Sequence, residues 1–213
     1  MKIALIGATG FVGAPLLEEL LQRGHQVTVL ARHPAKLAAR KGLTVVAADA
    51  QDAGQVRQAV AGHDAVLSAY NPGWTVPDIH DQFIKGTRAI YAGVREAGVR
   101  RLLVVGGAGS LFVAPGLQLV DTPQFPVEYK QGALAAREAL NLIRQEEALD
   151  WTFLSPPILL TPGERTGHYR LGGDAPLMNG EAPGTLSVKD LAVAIVDEIE
   201  QPRHVKQRFT VAY

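Results

Sequence analysis

The stretch LIGATGFVGAPLLEELLQRG, residues 5–24, limits what this chain can become more than any other. An apolar run gives way to an apolar-faced helix pattern, and three glycines, Gly7, Gly10 and Gly13, fall at intervals of three across the junction. A strand that turns straight into a helix leaves the first helical N–H groups unpaired at the positive end of the helix dipole, a combination that receives phosphate. Gly7 and Gly10 would admit a dinucleotide pyrophosphate close to the backbone. Gly13, inside the helix, would let the helix pack tightly on the first strand, since an interior glycine otherwise costs about 1 kcal/mol relative to alanine. The spacing G-x-x-G-x-x-G is a variant of the G-x-G-x-x-G fingerprint. A glycine-rich tight turn that binds nothing is the alternative reading of the same residues.

Downstream of the glycines the strand and helix theme repeats. KIALIG, QVTVLAR, LTVVAAD, DAVLSAY, RLLVVGG and DWTFLSP read as strands, with helices over about 11–23, 53–61, 79–97 and 129–147 between or before them. The strands are apolar almost throughout, as expected when helices cover both faces of a parallel sheet. Gly24, Gly62 and Gly98 come directly after the first three helices, suited to left-handed C-terminal caps. The expected fold class is therefore α/β, a doubly wound parallel sheet of the Rossmann type.

After about residue 156 the chain turns rich in Gly and Pro. GHYRLGG and APLMNGEAPGTL read as short strands or irregular segments, SVKDLAVAIVDEIEQ as a helix capped by Ser187 with Asp190 at the capping-box position, and QRFTVAY as a closing strand. We expect one Rossmann-like domain over 1–213, with 156–213 forming most of a small, loop-rich, substrate-side lobe. At 213 residues the chain can bury a core without staples, and with no cysteine it has neither disulfides nor thiolate sites. Twenty-one basic residues balance 21 acidic ones, which removes the electrostatic case for a nucleic-acid partner. No stretch approaches the roughly 18–20 apolar residues of a membrane span, and glycines interrupt the N-terminal apolar run, so the expected location is the cytoplasm, with no membrane partner.

The end of the second strand bears on the choice of dinucleotide. A carboxylate there would bind the 2′-hydroxyl of NAD, whereas this strand ends VTVLARHPAK, with Arg32 and Lys36 and no acid. A guanidinium grips a 2′-phosphate bidentately, so NADP(H) is preferred and NAD(H) remains open. Arg32 as an ordinary surface charge is the plainer reading.

The segments GATGFVG, LARHPAK, AADAQD, GHDAVLSA, VVGGAGSL and DWTFLSPP together resemble the atypical short-chain dehydrogenase/reductases that bind NAD(P)H. Within them the nearest likeness is to the NADH-flavin reductase-like subgroup, relatives of the biliverdin-IXβ reductases, and PGERTGHYRLGGD and QPRHVKQRFTVAY extend it over nearly the whole chain. The resemblance implies that Thr9, Gly10, Phe11 and Val12 offer backbone amides to the phosphates and that Arg32 meets the 2′-phosphate. It places Asp49 and Ala50 at the adenine edge, Ser68 and Ala69 on the ribose side, and Gly106 with the serine-bearing turn after the fifth strand. Asp49 has an equal claim to be a turn or helix cap. Pro157 would fix the backbone near the nicotinamide amide, or simply stiffen a strand exit.

The same resemblance puts Ser110 beside the nicotinamide. A typical member adds Tyr-x-x-x-Lys, whose lysine lowers the tyrosine pKa so that it can protonate a carbonyl oxygen. Here the segment reads FPVEYKQGA: counted from Lys130 the tyrosine position holds Pro126, and counted from Tyr129 the lysine position holds Ala133. Tyr129 and Lys130 are adjacent, about 100° apart on a helix, and cannot be each other's usual partner. A flavin or quinone-like acceptor takes hydride onto its own ring and draws its proton from water, so the broken pair favours such an acceptor over a ketone.

Ser110, Tyr129 and Lys130 are thus the candidate catalytic residues. Tyr70 and the adjoining NPGW place aromatics where one could lie against a nicotinamide or flat substrate, with Trp74 either a substrate wall or a loop anchor. His63, His80 and His168 are lesser proton-donor candidates, and the six histidines show no metal spacing. The leading expectation is a monomeric or homodimeric reductase passing hydride from NADPH to a flavin or similar planar acceptor, the flavin being substrate and not resident cofactor. An NmrA-like NADP(H) sensor without turnover is the alternative, and a sugar or steroid epimerase or dehydrogenase a further one.

Overall fold

The computed structural model describes all 213 residues. In chain order the elements are β1 (Lys2–Ile6), α1 (Gly13–Gln22), β2 (Gln26–Ala31), β3 (Leu43–Ala47), α2 (Ala53–Val60), β4 (Ala65–Ser68), α3 (Ile79–Glu96) and β5 (Arg101–Val105). A hairpin of β6 (Phe112–Ala114) and β7 (Leu117–Gln118) precedes α4 (Val127–Ile143) and β8 (Asp150–Ser155). Then come the short strands β9 (Leu159–Thr161), β10 (Arg170–Gly172), β11 (Met178–Asn179), β12 (Ala182–Pro183) and β13 (Thr185–Ser187), and finally α5 (Val188–Glu200) and β14 (Gln207–Ala212).

Eight strands form the main sheet in the order β10-β14-β8-β5-β4-β1-β2-β3. All its pairings are parallel except at one edge, where β10 runs antiparallel to β14 with Arg170 opposite Ala212. β2 and β3 extend from β1 in one direction while β4, β5 and β8 extend in the other, so the direction of winding reverses between β1 and β4. Ile6 and Ser68, paired in register, end these two strands side by side and mark the crevice in which open α/β sheets bind ligands.

Two apolar cores of nearly equal size, 23 and 22 buried residues, lie on the two faces, and this is why the strands read apolar at both parities. α2, α3 and α4 close one face through residues such as Val56, Ile90 and Leu140; α1 and α5 close the other through Leu16, Leu20, Leu191 and Ile195. Gly24, Gly62 and Gly98 all take positive φ, +80°, +75° and +73°, and end their helices as expected.

Some boundaries differ from expectation. α4 starts at Val127, directly behind Pro126, and stops at Ile143, because the N–H groups of Gln145 and Glu146 fold back onto the carbonyls of Leu142 and Ile143 in a tightened final turn. At α5, Ser187 Oγ accepts the Asp190 N–H at 3.0 Å as a cap should. The reciprocal half of the capping box is missing: the Ser187 N–H goes to the Tyr213 hydroxyl, and the Asp190 carboxylate instead accepts from Thr166, Gly167 and Tyr213. Of residues 156–213, α5 packs on α1, while β14 and the edge strand β10 enter the main sheet, so only the loop-rich stretches on either side of β10 within 159–187 stand outside that body.

Candidate functional site

The glycine turn leaves β1 with Gly7 at φ +86°, a left-handed conformation that side chains rarely adopt. A Cβ on Gly7 would lie 2.4 Å from the Ala69 carbonyl oxygen, so the turn is pressed against the exit of β4. A Cβ on Gly13 would lie 1.9 Å from the Gly7 carbonyl oxygen. Gly13 therefore closes α1 onto the turn's own backbone, and not onto the first strand as the sequence suggested. Gly10 differs from both, because its Cβ would come no nearer than 3.4 Å to any protein atom. Space for the protein does not demand glycine there.

Around Gly10 the backbone is poised for an anion. Thr9, Gly10 and Phe11 are exposed, and the N–H groups of Thr9, Phe11 and Val12 donate to no protein acceptor. No side chain caps α1, and its first turn carries no acid. Unpaired N–H groups at the positive end of a helix dipole, with nothing of the protein's own competing for them, fit a pyrophosphate.

Beyond β2, Arg32 stands exposed and pairs with no carboxylate, with Lys36 exposed in the short turn Pro34–Lys36. Past β3, Asp49 Oδ1 accepts the Gln51 N–H at 2.9 Å, a local turn, while the cap of α2 is Asp52, which accepts the Gln55 N–H at 3.0 Å. Ala50, beside it, is half-buried on the core. Tyr70 reaches this same region, its ring packed against α3. Its hydroxyl donates to the Gln82 carbonyl and accepts from Gln51 Nε2, both at 3.1 Å, and its ring meets Phe83 edge-on at 6.0 Å. The ring fills the notch left by Gly86, whose Cβ would lie 2.4 Å from it. Burial raises the Tyr70 pKa; Gln51 opposes the rise, the Asp49 charge adds to it, and the Arg32 charge opposes it. The backbone of Ala69 and Tyr70 lies against Gly7.

Ser68 is buried at the tip of β4, and the Ala69 N–H continues the ladder to the Ile6 carbonyl at 2.9 Å. Gly106 is explained by packing, since a Cβ there would strike the Phe153 ring at 2.0 Å. Pro157 is buried just past β8. Ser110 is only 1% exposed, and its Oγ and carbonyl oxygen accept from Arg208 Nη1 at 3.2 and 3.1 Å. The hydroxyl that the resemblance places beside the nicotinamide thus faces inward, held by a buried arginine of β14 that also pairs with Asp174. Burial lowers the Arg208 pKa, and the Asp174 carboxylate offsets this. The sequence reading missed Arg208; a cation within the apolar strand QRFTVAY was its only signal.

Tyr129 lies 48% exposed on the first turn of α4 and meets Trp74 edge-on, ring centroids 5.3 Å apart at 84°. Lys130 is exposed. The position four beyond Tyr129 is the buried Ala133, and the position four before Lys130 is Pro126, which precedes the helix, so no tyrosine–lysine pair is assembled. The histidines lie elsewhere: His63 sits just after α2 at the amino edge of the sheet, bonded to Thr28 and Val60; His80, on α3, sits by Asp81 and by Glu138 of α4; His168 is exposed in the tail.

Comparison with known proteins agrees with this geometry. A family described as NAD(P)H-binding matches residues 7–202. YwnB of Bacillus subtilis (strain 168), an uncharacterized protein, is 37% identical over 99% of this chain and 98% of its own length. A candidate epimerase from Bacteroides thetaiotaomicron superposes with a TM-score of 0.93 at 45% identity, covering all of this chain and 96% of that one. A candidate NADH-flavin reductase from Streptococcus pneumoniae TIGR4 does so with a TM-score of 0.87 at 35% identity, covering 100% and 99%.

Proposed function

For a chain that belongs to the NAD(P)H-binding family, with its oxidoreductase-type Rossmann fold, we propose the activity of an NADPH-dependent reductase whose acceptor is a flavin or a similar planar molecule. The observation that carries this reading is the combination at the crevice of an open amide cradle with no protein acid–base pair. Thr9, Phe11 and Val12 present free N–H groups to the phosphates, and Arg32, unpaired at the tip of β2, is the group suited to a 2′-phosphate. Asp49 and Ala50 border the adenine, and the Ala69–Tyr70 backbone the ribose side.

When bound, the nicotinamide supplies a hydride. The chain's part is to orient the two flat partners and exclude side reactions, because Ser110 is turned inward and Tyr129 has no lysine to activate it. An acceptor whose reduced ring is completed by a proton from water needs no more than this; a ketone needs a proton donor at its oxygen. A solved relative described as a candidate NADH-flavin reductase supports the same acceptor class. The test is oxidation of NADPH by the purified protein with riboflavin, FMN and a quinone, set against a simple ketone. Turnover with the ring acceptors alone is expected. Turnover with the ketone alone would overturn the reading, and NADPH binding without turnover of any acceptor would favour a sensor.

A further inference from the structure

We infer that Trp74 and Tyr129 form the acceptor's stacking platform, a subsite beside the nucleotide crevice that takes an extended, electron-poor ring; this rests on the reductase reading above. The segment after β4 leaves the crevice and carries Trp74 over the adjoining N-terminal ends of α3 and α4. The indole has a built seat there. Gly132, within α4, opens a notch in which a Cβ would lie 2.5 Å from Trp74 Cζ3 and 3.1 Å from Ile79 Cδ1. Trp74 keeps 54% of its surface exposed and Tyr129 48%, although each is braced by the other.

The bracing matters for function. An edge-to-face pair fixes both rings while leaving broad aromatic surface free for a third. The loop also holds itself, through Gly73 N–H to Asn71 Oδ1 at 2.8 Å and Val76 N–H to the Gly73 carbonyl at 3.3 Å, so the platform is shaped before any ligand arrives. A flat ring with low electron density gains most from an indole face, which suits flavins and quinones better than aliphatic carbonyls.

The test compares wild-type protein with Trp74→Ala and Trp74→Phe in two assays: the KM for riboflavin at saturating NADPH, and calorimetric binding of riboflavin to the NADP⁺-loaded protein. Loss of the ring should raise both the riboflavin KM and Kd by about tenfold or more, as loss of a stacking partner does. Phenylalanine should recover most of the loss, with the NADPH Kd unmoved in both variants. Riboflavin KM and Kd within about twofold of wild type in Trp74→Ala would overturn the platform, as would wild-type protein that binds no riboflavin at all. The two claims separate cleanly. Turnover whose KM ignores Trp74 removes the platform and leaves the reductase; Trp74-dependent riboflavin binding without turnover leaves the platform and removes the reductase.

Discussion

Gly10 and Gly13 stand three apart in one motif, yet the space around them differs. A methyl group on Gly13 meets the Gly7 carbonyl oxygen at 1.9 Å, whereas on Gly10 it meets nothing closer than 3.4 Å. Gly13→Ala should destabilise the fold by about 1–3 kcal/mol through overpacking, visible as a lowered Tm. Gly10→Ala should leave the Tm unchanged while weakening nucleotide binding, which calorimetry would read separately. Equal Tm losses in both variants would mean that Gly10 is structural after all. The motif was legible because its glycines sit where backbone geometry leaves few options. Individual roles beyond it were less so: a serine after β5 reads as catalytic until Arg208, 98 residues away, is seen to hold it inward. A long-range contact of that kind leaves no local pattern.

At the scale of elements, the turn after β5 is the piece most dependent on a distant partner. Arg208 of β14 bonds Ser110 twice and reaches Asp174, whose carbonyl in turn accepts the Phe112 N–H at 2.8 Å. Removing the guanidinium in Arg208→Ala leaves the buried Ser110 carbonyl with only Gln118 as partner. The expected cost is about 1–3 kcal/mol, measured by denaturant unfolding, together with faster amide exchange in 108–118 than in β1 or α1. Unchanged exchange there would show that the hairpin of β6 and β7 holds itself. The strands β1 to β5 and β8 and the helices α1 to α4 were readable from periodicity and caps, because their apolar runs are long enough to mark the faces they bury. The antiparallel β10, the β6–β7 hairpin and the parallel pairing of β9 with β13 were not, since strands of two or three residues carry too little pattern to announce a partner.

Over the whole molecule, the tail from 162 onward is locked to the Rossmann body by charge as well as by packing. Arg165 forks onto Glu19 at 2.7 and 2.9 Å, and Arg23 joins Glu19 to Asp197 and Glu200 of α5. The Arg165 hydrogen bonds hold the Glu19 carboxyl below its ordinary value; burial opposes this and Arg23 reinforces it. Burial works against the charge of Asp190 too, but hydrogen bonds from Tyr213, Gly167 and Thr166 together keep its pKa low. Carboxyls depressed in the folded state stabilise it fully above their unfolded pKa of about 4, and the stabilisation disappears as pH falls through the lower folded values. Thermal melts should therefore show Tm falling on acidification below about pH 4, and Glu19→Gln should lower the neutral-pH Tm while flattening that acid limb. An acid limb identical to wild type would mean that the clamp contributes nothing to stability. The carboxyl ends of β1, β2 and β4 form the proposed nucleotide side of the molecule, and one calorimetric experiment tests that most directly: NADPH and NADH titrated into wild-type protein and into Arg32→Ala. We expect saturable binding with NADPH favoured by about tenfold or more, and loss of that preference when the guanidinium and its charge-assisted bonds are removed. Absence of saturable binding for both nucleotides in wild-type protein would contradict a nucleotide site at this crevice.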